Sequence, residues 1–186
     1  MGLVMNMIIT HKAAVAEFGS PYRINKEIKA DRLFRVARGF YSDTRHVDPY
    51  ALCAMRYPGA IVTMDSAFYL HGLTDRVPDK VHLATARGAT RITDVGVVQR
   101  FSEDRLLNPG KTVIGRDGAK IRVYGRERML VELMRASASM APDYYAELIG
   151  AYRRIADELD LYAVEEYMEM FERNGYMADI LQREVL

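Results

Sequence analysis

The sequence predicts an α+β fold. Three observations carry that expectation: a short basic helix and hairpin near the start, a middle stretch where brief apolar runs alternate with turn signals, and a tail from Arg126 onward whose apolar residues recur at helical spacing. The expected architecture is a small N-terminal winged helix-turn-helix module over residues 1–48. A mixed α/β domain ending in a helical bundle follows over residues 49–186.

In chain order, residues 3–18 are expected to be helical, with Val4, Ile8, Val15 and Phe18 among the apolar positions. Gly19 suits the left-handed cap that ends such a helix. Ser20-Pro21 then restarts one. Ser20 is the N-cap and Pro21 takes the first helical position, where a missing N–H costs nothing. This second helix runs to about residue 30. Residues 33–36 and Phe40-Tyr41, parted by Ala37-Arg38-Gly39, read as a small hairpin.

After Asp48-Pro49 the pattern changes. Residues 50–57 predict a short helix, 60–63 a buried strand, and 65–71 a helix closed by Gly72. Strands are expected over 81–85, 96–101, 111–114 and 120–123, the last two joined by a Gly-Arg-Asp-Gly turn at 115–118. In the tail, Tyr145, Leu148, Ile149, Tyr152, Ile155 and Leu159 share one helical face, as do Leu161, Val164, Met168 and Phe171.

Composition narrows the function classes. With 49% hydrophobic and 27% charged residues, the chain has enough apolar material for a packed core, which excludes disorder. A single cysteine, Cys53, excludes an intrachain disulfide framework and fits a reducing cytoplasm. Residues 1–9 are apolar but lack a basic leader and a small-residue cleavage site, and no run is long enough to span a bilayer. A cytoplasmic location without membrane contact is therefore expected. Net charge is +1 overall, yet it divides into +3 over residues 1–48, +5 over 49–126 and −7 over 127–186. A basic front and an acidic back point to two kinds of partner.

The second helix places its charges selectively. At about 100° per residue, Ile24 and Ile28 fall on one side, whereas Tyr22, Arg23, Asn25, Lys26 and Lys29 fall on the other. Arg32, Arg35, Arg38 and Arg45 extend the basic series through the hairpin. Long cations suit phosphate neutralisation. Ser20 and the helix N-terminus offer further phosphate donors, and Arg23 or Asn25 can reach a base edge. Helix, turn, helix and basic hairpin is the order of parts in winged helix-turn-helix modules, although only two helices precede this wing instead of the usual three.

Several segments together resemble a known family. They are Arg38-Gly39-Phe40-Tyr41, residues 57–63 (Tyr-Pro-Gly-Ala-Ile-Val-Thr), the run Ser66-Ala67-x-x-Leu70-His71-Gly72-Leu73, and residues 125–133 (Gly-Arg-Glu-Arg-Met-Leu-Val-Glu-Leu). In this order, from about residue 33 to 135, they resemble the AbiEi family, antitoxins of type IV toxin–antitoxin systems. Met129 and Glu132 depart from the Thr and Asp the family often has there. The resemblance implies a winged-helix repressor binding operator DNA of its own operon. It also implies a C-terminal domain that counteracts a nucleotidyltransferase-like toxin without requiring a stable complex.

No catalytic residue, metal ligand or cofactor is expected. His11, His46, His71 and His82 are scattered and lack zinc-binding spacing. Ser66 and His71 lie about 140° apart around one helix, too far for a nucleophile–base pair. His71 in a last helical turn is placed where the helix dipole favours positive charge. The acids at 157–158 and 165–166 read as solvated surface. Two alternatives stand beside the antitoxin reading: a winged-helix regulator without a toxin, and a nucleic-acid-processing enzyme with an unrecognised site.

Overall fold

The computed structural model describes residues 8–172 and 174–186. Among them the chain is α+β, with nine α-helices and two sheets. It divides into two compact units. The first is the described part of Met1–Pro58 together with Ile114–Ile121; the second is Gly59–Val113 with Arg122–Leu186.

The first unit runs β1 (Ile9–Thr10), α1 (His11–Phe18), α2 (Pro21–Lys29), β2 (Phe34–Ala37), β3 (Phe40–Ser42) and α3 (Pro49–Arg56). Its three strands are antiparallel in the order β1-β3-β2, with Ile9 opposite Tyr41 and Phe34 opposite Ser42. The helix expected over 3–18 is shorter than its periodicity implied. Residues 3–7 lie outside the described residues, and Ile9-Thr10 form a strand instead. β-Branched side chains favour that choice. Thr10 then starts α1 by accepting the Ala13 N–H at 3.3 Å. Gly19 ends α1 with φ +84°, in the left-handed region as expected. Ala14, Ile24, Leu33 and Tyr41 form the core here, with Ile9, Val15, Phe18 and Ile28 packed around it.

The second unit is built on a mixed sheet ordered β6-β5-β4-β8-β7. The strands are β4 (Ile61–Val62), β5 (Val81–Ala86), β6 (Val97–Ser102), β7 (Lys111–Arg116) and β8 (Ala119–Tyr124), and the tip of the β7–β8 hairpin belongs to the first unit. β5 and β6 run parallel, β4 and β8 run parallel, and β4 and β5 run antiparallel. The helices are α4 (Met64–Leu70), α5 (Asp104–Leu107), α6 (Arg126–Ala136), α7 (Pro142–Arg154), α8 (Leu161–Glu169) and α9 (Gly175–Ile180), the last continuing into a π-helical turn. α6 is the central one: Met129, Leu130, Val131, Leu133 and Met134 are all fully buried. The apolar stripes expected in the tail supply the cover, with Leu148, Ile149, Tyr152, Leu159, Val164, Met168 and Phe171 buried.

Two residues of the middle motif have structural employment. Ser66, fully buried, accepts the His82 backbone N–H at 2.9 Å and so ties α4 to β5. His71 Nε2 donates to the Tyr124 carbonyl at 2.6 Å, tying the end of α4 to β8. Burial pushes the His71 pKa down, and this outweighs the opposing pull of that carbonyl. Among the described residues no helix is long and apolar enough to cross a membrane.

Candidate nucleic-acid interface

Helix α2 is set by its two ends and one face. Ser20 Oγ accepts the Arg23 N–H at 3.3 Å, leaving its own hydrogen free to donate outward, and Pro21 occupies the first turn. Ile24, 1% exposed, plugs the core, and Ile28 packs half-buried beside it. That anchoring turns the opposite face to solvent. Tyr22 is 79% exposed, and Arg23, Asn25, Lys26 and Lys29 are exposed with it. The Arg23 guanidinium lies back over the Gly19 turn.

The hairpin continues the basic surface. Arg35 on β2 and Arg38 in the turn are both exposed. One feature was not legible beforehand: Arg35 stands opposite Tyr41 but Ala37 opposite Phe40, so Val36 is an extra residue and the strand carries a bulge. Among the described residues, the side chains of Arg23, Lys26, Lys29, Arg35 and Arg38 form no ion pair or hydrogen bond.

Arg32 and Arg45 differ from these five. Arg32 clamps Glu27 with two hydrogen bonds of 2.7 and 3.0 Å, which holds the Glu27 carboxyl below its usual range. Arg45 donates to Asp31 at 2.8 Å and lies over the Phe34 ring. Both pairs are solvent-exposed and weak, so a phosphate can compete for them, but their charge is already partly offset. The arrangement thus presents five open cations and two engaged ones from one helix and one hairpin.

Two features escaped the sequence. Asp48 looked like a boundary, yet its Oδ1 caps α3 by accepting the Ala51 N–H at 2.8 Å while its Oδ2 takes Arg116. Asp-Pro before a helical run is itself a capping signal. The second unit also gathers Arg87, Arg100, Arg128 and Arg135 around a cleft of about 400 Å³. These residues are spread over nearly 50 positions, so the +5 charge of residues 49–126 hinted only at Arg87 and Arg100, while Arg128 and Arg135 lie in the acidic tail.

No protein-family model matches this chain, and no curated protein matches it. Among solved structures, the chain is similar to the RV2827C protein from Mycobacterium tuberculosis, with a TM-score of 0.59 and 18% sequence identity. The match covers 93% of this chain and 71% of that one. At that identity the likeness is one of fold, spread over nearly the whole chain.

Proposed function

We propose that the protein is a cytoplasmic DNA-binding repressor of its own operon and an AbiEi-like antitoxin, counteracting a nucleotidyltransferase-like toxin. One observation carries the DNA half. Arg23, Lys26, Lys29, Arg35 and Arg38 stand unpaired on a single helix–hairpin segment whose other side is pinned to a core by Ile24. The order β1-α1-α2-β2-β3, with β1 closing the hairpin sheet, supports a winged helix-turn-helix reading of that segment. In this reading α2 enters the major groove. Lys26 and Lys29 neutralise phosphates, and Arg23 and Asn25 face base edges. The antitoxin half rests on the family resemblance of the middle segments.

A gel-shift titration with DNA from upstream of the gene tests the first half. Affinity is expected to fall roughly tenfold or more between 50 and 200 mM salt as counterions are released. Lys26→Ala and Lys29→Ala should weaken binding to every sequence, whereas Arg23→Ala or Asn25→Ala should also relax specificity, by about 1–3 kcal/mol per lost base contact. Absence of upstream binding at low salt overturns the repressor reading. Growth rescue of cells expressing a toxin encoded beside this gene tests the second half, and failure of the full-length chain to rescue overturns it.

A further inference from the structure

The cleft in the second unit is lined in part by β5, β6 and α6, and its charges do not balance. Four arginines line it: Arg87, Arg100, Arg128 and Arg135. The Glu132 side chain, only 15% exposed, takes Arg128 at 2.8 Å and Arg135 at 2.8 Å, so one carboxylate serves two guanidinium groups. Glu103, the other carboxylate at the cleft, is taken by Arg105 at 3.0 Å, and Arg105 does not line it. Four arginines against the one remaining carboxylate leave an excess of three positive charges. Like charges gathered in a concavity repel one another and focus a field that draws anions. Solvated surface arginines are common, but these meet on one space from separate elements.

The strand register sets which side of the sheet Arg100 serves. Side chains alternate between faces along a strand, and Arg100 stands opposite Ala84. Arg100 therefore shares its face with Ala84 and Ser102, which also line the cleft, and with His82. Thr85 and Gln99 hydrogen-bond to each other at 2.8 Å on the other face. Burial lowers the His82 pKa most, Asp65 opposes this, and the charge of Arg100 adds to the lowering, in keeping with a shared face. On α6, Arg135 is held from two sides. Its guanidinium lies over the Phe171 ring at 3.8 Å, and one of its nitrogens donates to Glu132. The group is thus positioned in advance, and its other N–H groups have no hydrogen-bond partner among the described residues. Arg87 and Arg100 are exposed, and among the described residues their side chains have no ion pair or hydrogen bond.

We propose that this cleft binds a compact oxyanion carrying two or more negative charges, the chemistry of pyrophosphate or of a phosphate monoester, on Arg87, Arg100 and Arg135. Guanidinium forks match phosphate oxygens in pairs and stay charged at any physiological pH. Arg128 spends its donors on Glu132 and the Pro109 carbonyl, so it adds charge to the inner wall without offering a contact. The space of about 400 Å³ is near the low end for small-ligand sites, which favours a compact anion over an extended chain. Every lining residue belongs to the second unit, so the proposal does not rest on the DNA-binding reading of α2.

Isothermal titration of the full-length protein at low salt with inorganic phosphate, pyrophosphate, ribose 5-phosphate and acetate tests the proposal. Pyrophosphate should bind with a Kd below about 1 mM, and singly charged acetate should bind far more weakly. Tighter binding of ribose 5-phosphate than of inorganic phosphate would assign the site to an ester, and the reverse order to a free anion. Arg87→Ala and Arg100→Ala should each weaken pyrophosphate roughly tenfold or more, as expected for a lost charge-assisted hydrogen bond. Arg100→Lys keeps the charge but loses the fork, so it should weaken binding less than Arg100→Ala. Both side chains are exposed, so melting curves should match the parent protein and exclude misfolding. Lys26→Ala, which changes only the DNA surface, should bind pyrophosphate normally. Absence of pyrophosphate binding at about 1 mM, equal affinity for acetate, or indifference to Arg87→Ala and Arg100→Ala overturns the proposal. So does a tetraglutamate peptide or a single-stranded oligonucleotide that binds more tightly than pyrophosphate and is itself weakened by Arg100→Ala.

Discussion

On α2 and its hairpin, five exposed cations have no ion pair or hydrogen bond among the described residues, and Ile24 on the other side of α2 joins a small core with Ala14, Leu33 and Tyr41. In the second unit Arg128 is 1% exposed. It donates to Glu132 and to the Pro109 carbonyl, and lies over the rings of Tyr124 and Phe171 at 4.7 and 5.1 Å. The two kinds of arginine carry the same charge. What separates them is desolvation: a buried guanidinium must find its hydrogen bonds inside the protein and becomes part of its stability, whereas an exposed one costs the fold nothing and stays available to a partner.

That contrast is broken or sharpened by removing members of each set. The largest effect is expected for Arg128→Ala, which empties a sandwiched site and strips the Pro109 carbonyl of its donor. It should cost about 3–5 kcal/mol in chemical denaturation. A loss below about 1 kcal/mol would mean that the buried arginine is not integral to the fold. In the first unit the residue of corresponding weight is apolar. Ile24→Ala should cost about 3 kcal/mol by leaving a cavity, and upstream DNA binding should weaken with it because α2 loses its anchor. Ile28 is only half-buried, so Ile28→Ala should cost less.

Stability should also depend on pH through the second unit. Burial lowers the pKa of both His71 and His82 from the ordinary 6.5, against the opposing pull of the Tyr124 carbonyl and of Asp65. Above pH 6.5 both imidazoles are therefore neutral in the folded chain, whereas on acidification the unfolded chain takes up a proton at each before the folded chain does. Their contribution is complete above pH 6.5 and is lost as the pH falls through the lowered folded values. Melting temperatures between pH 7.5 and 5 should fall accordingly, and His82→Gln should flatten the slope. An unchanged slope would count against the buried, neutral imidazole.

Smaller still is Ser20→Ala, which removes the α2 cap and should cost about 1 kcal/mol. Smallest is Lys26→Ala combined with Lys29→Ala, expected to alter stability by less than about 0.5 kcal/mol while clearly weakening DNA binding. If this pair destabilised the protein as Arg128→Ala does, the distinction between the two regions would fail.

Much was legible in the residues. Ser20-Pro21 announced the start of α2 and Gly19 the stop before it, because capping is local chemistry between neighbours. The periodicity of α2 separated Ile24 from its charged face, and that of the tail marked Leu148, Ile149, Tyr152 and Val164 as core. Local patterns of that kind settled the α+β class and drew attention to the α2–hairpin segment. They failed at Ile9-Thr10, where pairing with Tyr41 and Phe40 made a strand of what looked like a helix. They also could not separate Arg32, held by Glu27, from Arg35, which is open. Nor could they assemble Arg87, Arg100, Arg128 and Arg135 into one wall, or leave Glu132 as the single carboxylate between two of them. The sequence by itself determined the caps, the turns and the apolar faces, because these depend on residues within a few positions of one another. Strand partners, the pairing of individual charges and the cleft were decided only in the tertiary structure, because each depends on which distant residues burial brings together and which it leaves in water.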